Sequence, residues 1–142
     1  MGRKHAYCIV AHNEPEIFSK LVSSIDDARN DIYVMIDKKS DIGQFNLIST
    51  RYSNLVFVDE RVDIRWGDLS MVEAELKLFE IAISASDYSY LHLLSGVDLP
   101  IKSQDYIHSF TEDNVGCEYV DIAYDMFNVK DADRKTRYHH IF

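Results

Sequence analysis

Ala6-Tyr7-Cys8-Ile9-Val10-Ala11 runs through His12-Asn13-Glu14-Pro15 into Glu16-Ile17-Phe18-Ser19-Lys20-Leu21-Val22-Ser23-Ser24-Ile25. The first six residues are apolar without a break, the pattern of a strand buried on both faces. Past the turn, Ile17, Phe18, Leu21, Val22 and Ile25 recur at helical spacing and give a helix one apolar face. Asn13 and Glu16 make a capping-box-like start, and Pro15 suits the first helical turn, where its missing N–H costs nothing. A buried strand that turns at once into an amphipathic helix is the opening of a strand-helix-strand unit.

The same grammar continues along the chain. Ile32-Tyr33-Val34-Met35-Ile36, Leu55-Val56-Phe57-Val58 and Tyr88-Ser89-Tyr90-Leu91-His92-Leu93-Leu94 are further short runs rich in Val, Ile and Tyr. Ser70 and Glu73 form a second capping-box pattern ahead of Leu76, Leu78, Phe79, Ile81 and Ala82, and a third helical pattern starts near Ser103 with Tyr106, Ile107 and Phe110. No internal repeat or low-complexity stretch interrupts this alternation. It predicts one doubly wound α/β domain over residues 1–142 with a mostly parallel sheet flanked by helices. In such sheets ligands bind beyond the carboxyl ends of the strands.

Composition narrows the function. The chain has 142 residues, 46% hydrophobic, enough for one sizeable core. A formal charge of −9 disfavours nucleic acid and anionic membranes as bulk electrostatic partners, so any phosphate site is local. Cys8 and Cys117 lie far apart, Cys8 inside an apolar run, which reads as reduced thiols and not as a secreted disulfide framework. Residues 1–5 are short and basic and lead straight into the first strand, without a signal-peptide core or a spanning helix. A cytoplasmic chain is expected, with room for peripheral association at an inner membrane.

The turns after the strands are His12-Asn13, Asp37-Lys38-Lys39, Asp59-Glu60-Arg61 and Ser95-Gly96-Val97-Asp98. Neither G-x-G-x-x-G nor G-x-x-x-x-G-K-[ST] occurs, which removes support for a dinucleotide oxidoreductase or a P-loop phosphotransferase. Asp37 stands about one βαβ unit beyond the first strand, where a carboxylate accepts hydrogen bonds from a ribose or a base; Asp after a strand is also a common turn residue or helix cap. Asp98 has the same two readings, a cleft carboxylate or an Asx turn that organises its loop.

Taken together and in order, residues 6–12, Ile36-Asp37-Lys38-Lys39-Ser40, Arg65-Trp66-Gly67 with Ser70, and Leu93-Leu94-Ser95-Gly96-Val97-Asp98-Leu99-Pro100-Ile101-Lys102 resemble the core-2/I-branching enzyme family of β-1,6-N-acetylglucosaminyltransferases and peptide O-xylosyltransferases. The resemblance covers most of residues 6–110 and fades afterwards. It implies a Rossmann-like GT-A fold, of which this chain supplies the N-terminal portion, a UDP-sugar donor, a glycan or polysaccharide acceptor, and inversion at the anomeric carbon with neither a cofactor nor a metal.

Carried over by position, the resemblance sets Val10, Ala11 and His12 against the nucleoside, Asp37 against the uracil-ribose portion, and Ile64, Arg65 and Trp66 at another donor contact. Ser95 and Asp98 line the same cleft, and Lys130 aligns with a donor or acceptor contact. Structural alternatives stand beside these: backbone bonding at a strand end for His12, core packing for Trp66, a solvated basic run for Lys130. A diphosphate near Asp37 and Asp98 meets like charge worth about 4 kcal/mol per close pair at an effective dielectric near 20. Lys130, Arg134, Lys135 and Arg137 are the densest basic cluster available to offset it. The D-x-D pair of metal-using GT-A enzymes is missing from the fourth strand end, and Asp131-Ala132-Asp133 reads as a solvated segment.

The implied reaction is a direct displacement in which a carboxylate takes a proton from an acceptor hydroxyl as UDP leaves. The family's catalytic Glu and its C-terminal basic pair belong to a region past residue 142, so a truncated chain holding the donor half alone is expected. Glu14, Glu60 and Glu73 read as cap or surface residues. Self-association through an unpaired sheet edge is a further expectation. The alternative in a different class is a nucleotide-binding or protein-interaction module without catalysis. Lack of a signal anchor and of cysteine pairs suits a bacterial cytosolic enzyme of cell-surface polysaccharide better than the Golgi-membrane members of the family.

Overall fold

The computed structural model describes residues 4–65 and 67–120. Trp66, Lys130 and the rest of the 130s cluster therefore lie outside the described residues. The chain divides into two compact units after Ser109, and the first holds the whole sheet.

Four strands form that sheet: β1 (His5–Ala11), β2 (Asn30–Ile36), β3 (Asn54–Phe57) and β4 (Tyr90–Ser95). Their order is β3-β2-β1-β4, and every pair is parallel. Helix α1 (Pro15–Ile25) joins β1 to β2, a single 3-10 turn at Ile42–Phe45 precedes β3, α2 (Leu69–Ala85) joins β3 to β4, and α3 (Gln104–Asp113) follows. The expected α/β architecture with a parallel sheet is thus present.

Period-two alternation in β1 and β2 divides the core between two faces. Tyr7, Ile9 and Ala11 with Ile32, Val34 and Ile36 meet Phe18, Leu21, Val22 and Ile25 of α1. Ala6, Cys8, Tyr33 and Met35 meet Ala74, Leu78 and Ala82 of α2. Each of the four buried α1 side chains contributes about 1.5–3 kcal/mol, which is what fixes α1 on its face.

Both helix starts differ from the expected caps. Helix α1 begins at Pro15, and its cap is Glu14 in the left-handed conformation (φ 54°, ψ 56°) with no side-chain cap hydrogen bond. Proline disfavours right-handed α geometry in the residue before it, so Glu14 cannot join the helix and the Asn13/Glu16 box does not form. Helix α2 begins at Leu69, capped by Asp68, whose side chain accepts from the Leu69 N–H at 2.8 Å. Gly67, at φ 74°, turns the chain just before it. Asp68 therefore takes the cap, and Ser70 falls into the first turn, where its Oγ accepts from the Arg65 N–H at 2.9 Å. The face of α2 differs too. Leu76 is exposed, while small Ala74 and Ala82 face the sheet and let helix and strands approach.

At the amino end of the sheet, the start of α3 is attached by buried polar groups. The His5 and His92 rings hydrogen-bond at 3.0 Å, and His108 stacks on His5 with ring centroids 4.0 Å apart. Asn30 donates to the Ile25 carbonyl and to Gln104 Oε1, each at 2.8 Å, and its Oδ1 lies 2.9 Å from His108 Nε2. The Tyr7 hydroxyl also donates to Gln104 Oε1 at 3.0 Å. Burial first, then the neighbouring His108 and His92 imidazoles and Arg29, lowers the His5 pKa to about 3. Burial and His108 lower that of His92 to about 4. The His5 and His92 rings are neutral through the physiological range, so they hydrogen-bond to each other without mutual repulsion.

Candidate functional site

Strand order alone locates a crevice. From β1 the chain winds outward through α1 to β2 and β3, then α2 carries it back across to β4 on the other side of β1. The winding direction reverses between β1 and β4, and the carboxyl ends of those strands frame the opening.

The strand ends are held close by backbone bonds. The Asp37 N–H donates to the Ala11 carbonyl and the Gly96 N–H to the Val10 carbonyl, both at 2.8 Å. A Cβ on Gly96 would lie 2.5 Å from Ala11 Cβ and 3.1 Å from Ala11 Cα, so only glycine permits this approach. His12, Asn13 and Glu14 are exposed at the mouth, and Glu14 is the one non-glycine residue with positive φ among the described residues.

Asp37 is buried, yet ionised. Its Oδ1 accepts from the Lys39 N–H at 3.1 Å and the Ile64 N–H at 3.4 Å, and its Oδ2 lies 3.1 Å from Lys39 Nζ. Burial pushes the carboxyl up, but the bonds from Lys39 and Ile64 and the Lys39 charge outweigh it and hold Asp37 below the usual carboxylate range. The turn reading of Asp37 holds: its Oδ1 accepts from the turn backbone, and the carboxylate keeps its charge at the carboxyl end of β2. Asp98 takes the turn arrangement. Its Oδ2 accepts from the Ser95 N–H at 2.7 Å, and its own N–H returns to the Ser95 carbonyl at 3.1 Å.

Of the residues marked from sequence, Val10, Ala11, His12, Asp37, Ser95 and Asp98 converge on the carboxyl ends of β1, β2 and β4. Ile64 is tied to Asp37 by its N–H, and Arg65 to Ser70, in the segment that leads into α2. Trp66 and Lys130 lie outside the described residues. Sequence reasoning passed over Lys39 and Asp63. Lys39 Nζ lies 2.6 Å from Asp63 Oδ1 and also donates to the Ile64 carbonyl. The signal available was the Asp37-Lys38-Lys39 spacing, which brings a cation back over the strand-end carboxylate. Arg61 adds bonds to the Ser40 carbonyl at 3.0 Å and the Asp37 carbonyl at 3.4 Å.

Glu60 pairs with Lys77, and Glu73 is exposed on α2. Among the described residues, no group of three or more His, Cys, Asp or Glu side chains is set to hold a metal ion. No described helix is long and apolar enough to cross a membrane.

Comparison with curated proteins gives no match. The family model of the core-2/I-branching enzymes matches residues 5–141. That match spans the whole parallel sheet and the crevice between β1 and β4, and the chain belongs to the core-2/I-branching family of GT-A glycosyltransferases.

Proposed function

We propose that this chain forms the donor-binding half of an inverting glycosyltransferase that takes a UDP-sugar. The observation that carries the proposal is Asp37: a buried carboxylate kept charged at the carboxyl end of β2, beside the β1–β4 switch point. A uracil imide N–H and ribose hydroxyls are donors, and a fixed carboxylate beside a strand end is a suitable acceptor for them. The exposed His12 ring offers a face and two nitrogens next to it. The Glu14 backbone supports the same assignment, because left-handed geometry at a non-glycine residue costs about 1–3 kcal/mol and tends to be retained at functional turns.

In the reaction an acceptor sugar hydroxyl attacks the anomeric carbon as the bond to UDP breaks, and its proton passes to a carboxylate. Cations, with no metal ion, offset the charge on the leaving diphosphate; Lys130 is the assigned contact. No general base is assigned within residues 1–142. The acceptor is a glycan or polysaccharide, and the working location is the cytoplasmic side of a membrane, held there peripherally.

Calorimetry with UDP, UDP-N-acetylglucosamine and UDP-xylose, with and without EDTA, tests this. UDP binding should survive EDTA and weaken at least tenfold in Asp37→Ala, the scale of a lost hydrogen bond to a charged group. Absence of UDP binding by the native chain would sink the proposal and leave the non-catalytic module in its place.

A further inference from the structure

We propose that Lys39 is a positioning residue of the donor site, holding Asp37 in one orientation and fastening residues 61–65 to the turn after β2. The inference rests on the donor reading of Asp37 given above.

Lys39 is placed as a three-way tie. An ammonium has three N–H donors. Here the acceptors are Asp37 Oδ2 at 3.1 Å, Asp63 Oδ1 at 2.6 Å and the Ile64 carbonyl. Two of those acceptors come from the segment that leads into α2, and one comes from the turn after β2. Backbone bonds run alongside, from the Lys38 N–H to the Val62 carbonyl at 2.9 Å and from the Ile64 N–H to Asp37 Oδ1. With Oδ1 occupied by two backbone donors and Oδ2 by Lys39, the Asp37 carboxylate has little rotational freedom. Residues 64 and 65, both marked as donor contacts from sequence, are carried on the segment that Lys39 secures.

The contribution is one of geometry more than of bond energy. Lys39 is more than half exposed, so solvent screens its ion pairs and their direct effect on stability is small. A misplaced carboxylate, by contrast, loses the alignment on which recognition of a base or ribose depends. Arginine is an imperfect replacement, since its planar fork cannot point donors at three acceptors arranged around a compact ammonium. The charged groups facing Asp37 are Lys39 from its own turn and, from the 61–65 segment, Arg61, Asp63 and, through Asp63, Arg65.

Two measurements on the 1–142 chain, native and Lys39→Met, decide the matter: carbon-detected NMR titration of the Asp37 carboxyl, and UDP affinity at pH 7.5. Thermal melts confirm that each variant folds. The Asp37 midpoint should move up in Lys39→Met, and UDP binding should weaken about tenfold, the loss of one charge-assisted contact. Lys39→Arg, which keeps the charge, should bring the midpoint back down and recover part of the affinity. An unmoved midpoint overturns the proposal, and so does a raised midpoint with native UDP affinity. If the native chain binds no UDP, the donor reading itself fails, an outcome distinct from both.

Discussion

The two ends of the parallel sheet treat polar groups in opposite ways. At the carboxyl end, Asp37 stays ionised, Lys39 sits over it half in solvent, and His12 is exposed. At the amino end, His5, His92, His108, Asn30, Gln104 and Tyr7 are drawn into one hydrogen-bonded and stacked cluster, with the His5 and His92 imidazoles pushed toward neutrality. Imidazole charge is suppressed at the amino end, where the Arg29–Asp105 ion pair also ties α3, and carboxylate charge is retained at the carboxyl end.

Acid should separate the two ends most strongly. His5 and His92 have folded pKa values of about 3 and about 4, against 6.5 in the unfolded chain. The unfolded state thus binds more protons throughout that window, and stability falls as pH drops from 6.5 toward the folded values. Between pH 7 and pH 5 the loss should reach roughly 3 kcal/mol in urea unfolding. His92→Phe, which can still stack on Tyr7, should flatten the slope; an unchanged slope would place the acid sensitivity elsewhere.

Gly96→Ala probes the carboxyl end. Its new methyl must displace Ala11, including backbone, at a cost of about 2 kcal/mol. UDP affinity of the folded fraction should fall as well, because the β1–β4 crevice widens. Native stability in this variant would show that the strand ends are not held so close. Tyr7→Phe is the matching change at the amino end, where loss of the bond to Gln104 should cost about 1 kcal/mol and leave UDP affinity unaltered. Equal losses of UDP affinity in the two variants would break the contrast between the ends. The mildest test concerns the thiols. Buried Cys8, its pKa raised by burial to about 12, should resist a maleimide that labels exposed Cys117 in the native protein, and should react only with unfolding.

Strands β1 and β2 were legible in the sequence because doubly buried strands leave unbroken apolar runs, β3 and β4 by their Val- and Leu-rich runs although they are only partly buried, and the first helix because its apolar face is narrow. The second helix was harder. It is apolar nearly all round, so periodicity offered Leu76 as readily as Ala74, and the choice of the small face follows from how near the helix must lie to β1 and β2. Cap positions failed for a related reason. Asp68 and Ser70 are both good caps, and Glu14 is excluded from the helix by Pro15 and not by its own propensity. Strand-end placement of Val10, Ala11, Asp37 and Ser95 followed from topology. The Lys39–Asp63 tie and the histidine cluster did not, since each joins residues whose proximity depends on tertiary packing or sheet register.

Register also bears on the order of assembly. Residue His5 pairs with nearby Asn30 on one side and with distant Tyr90 on the other. Closing the longer loop costs about 1 kcal/mol more entropy, and such non-local pairings are the slow steps of folding. The β1-α1-β2 unit can form early, whereas β4 must wait for everything between. The crevice between β1 and β4 is consequently the last part of the sheet to exist, and until β4 docks, the edge of β1 stands open to pairing with other chains.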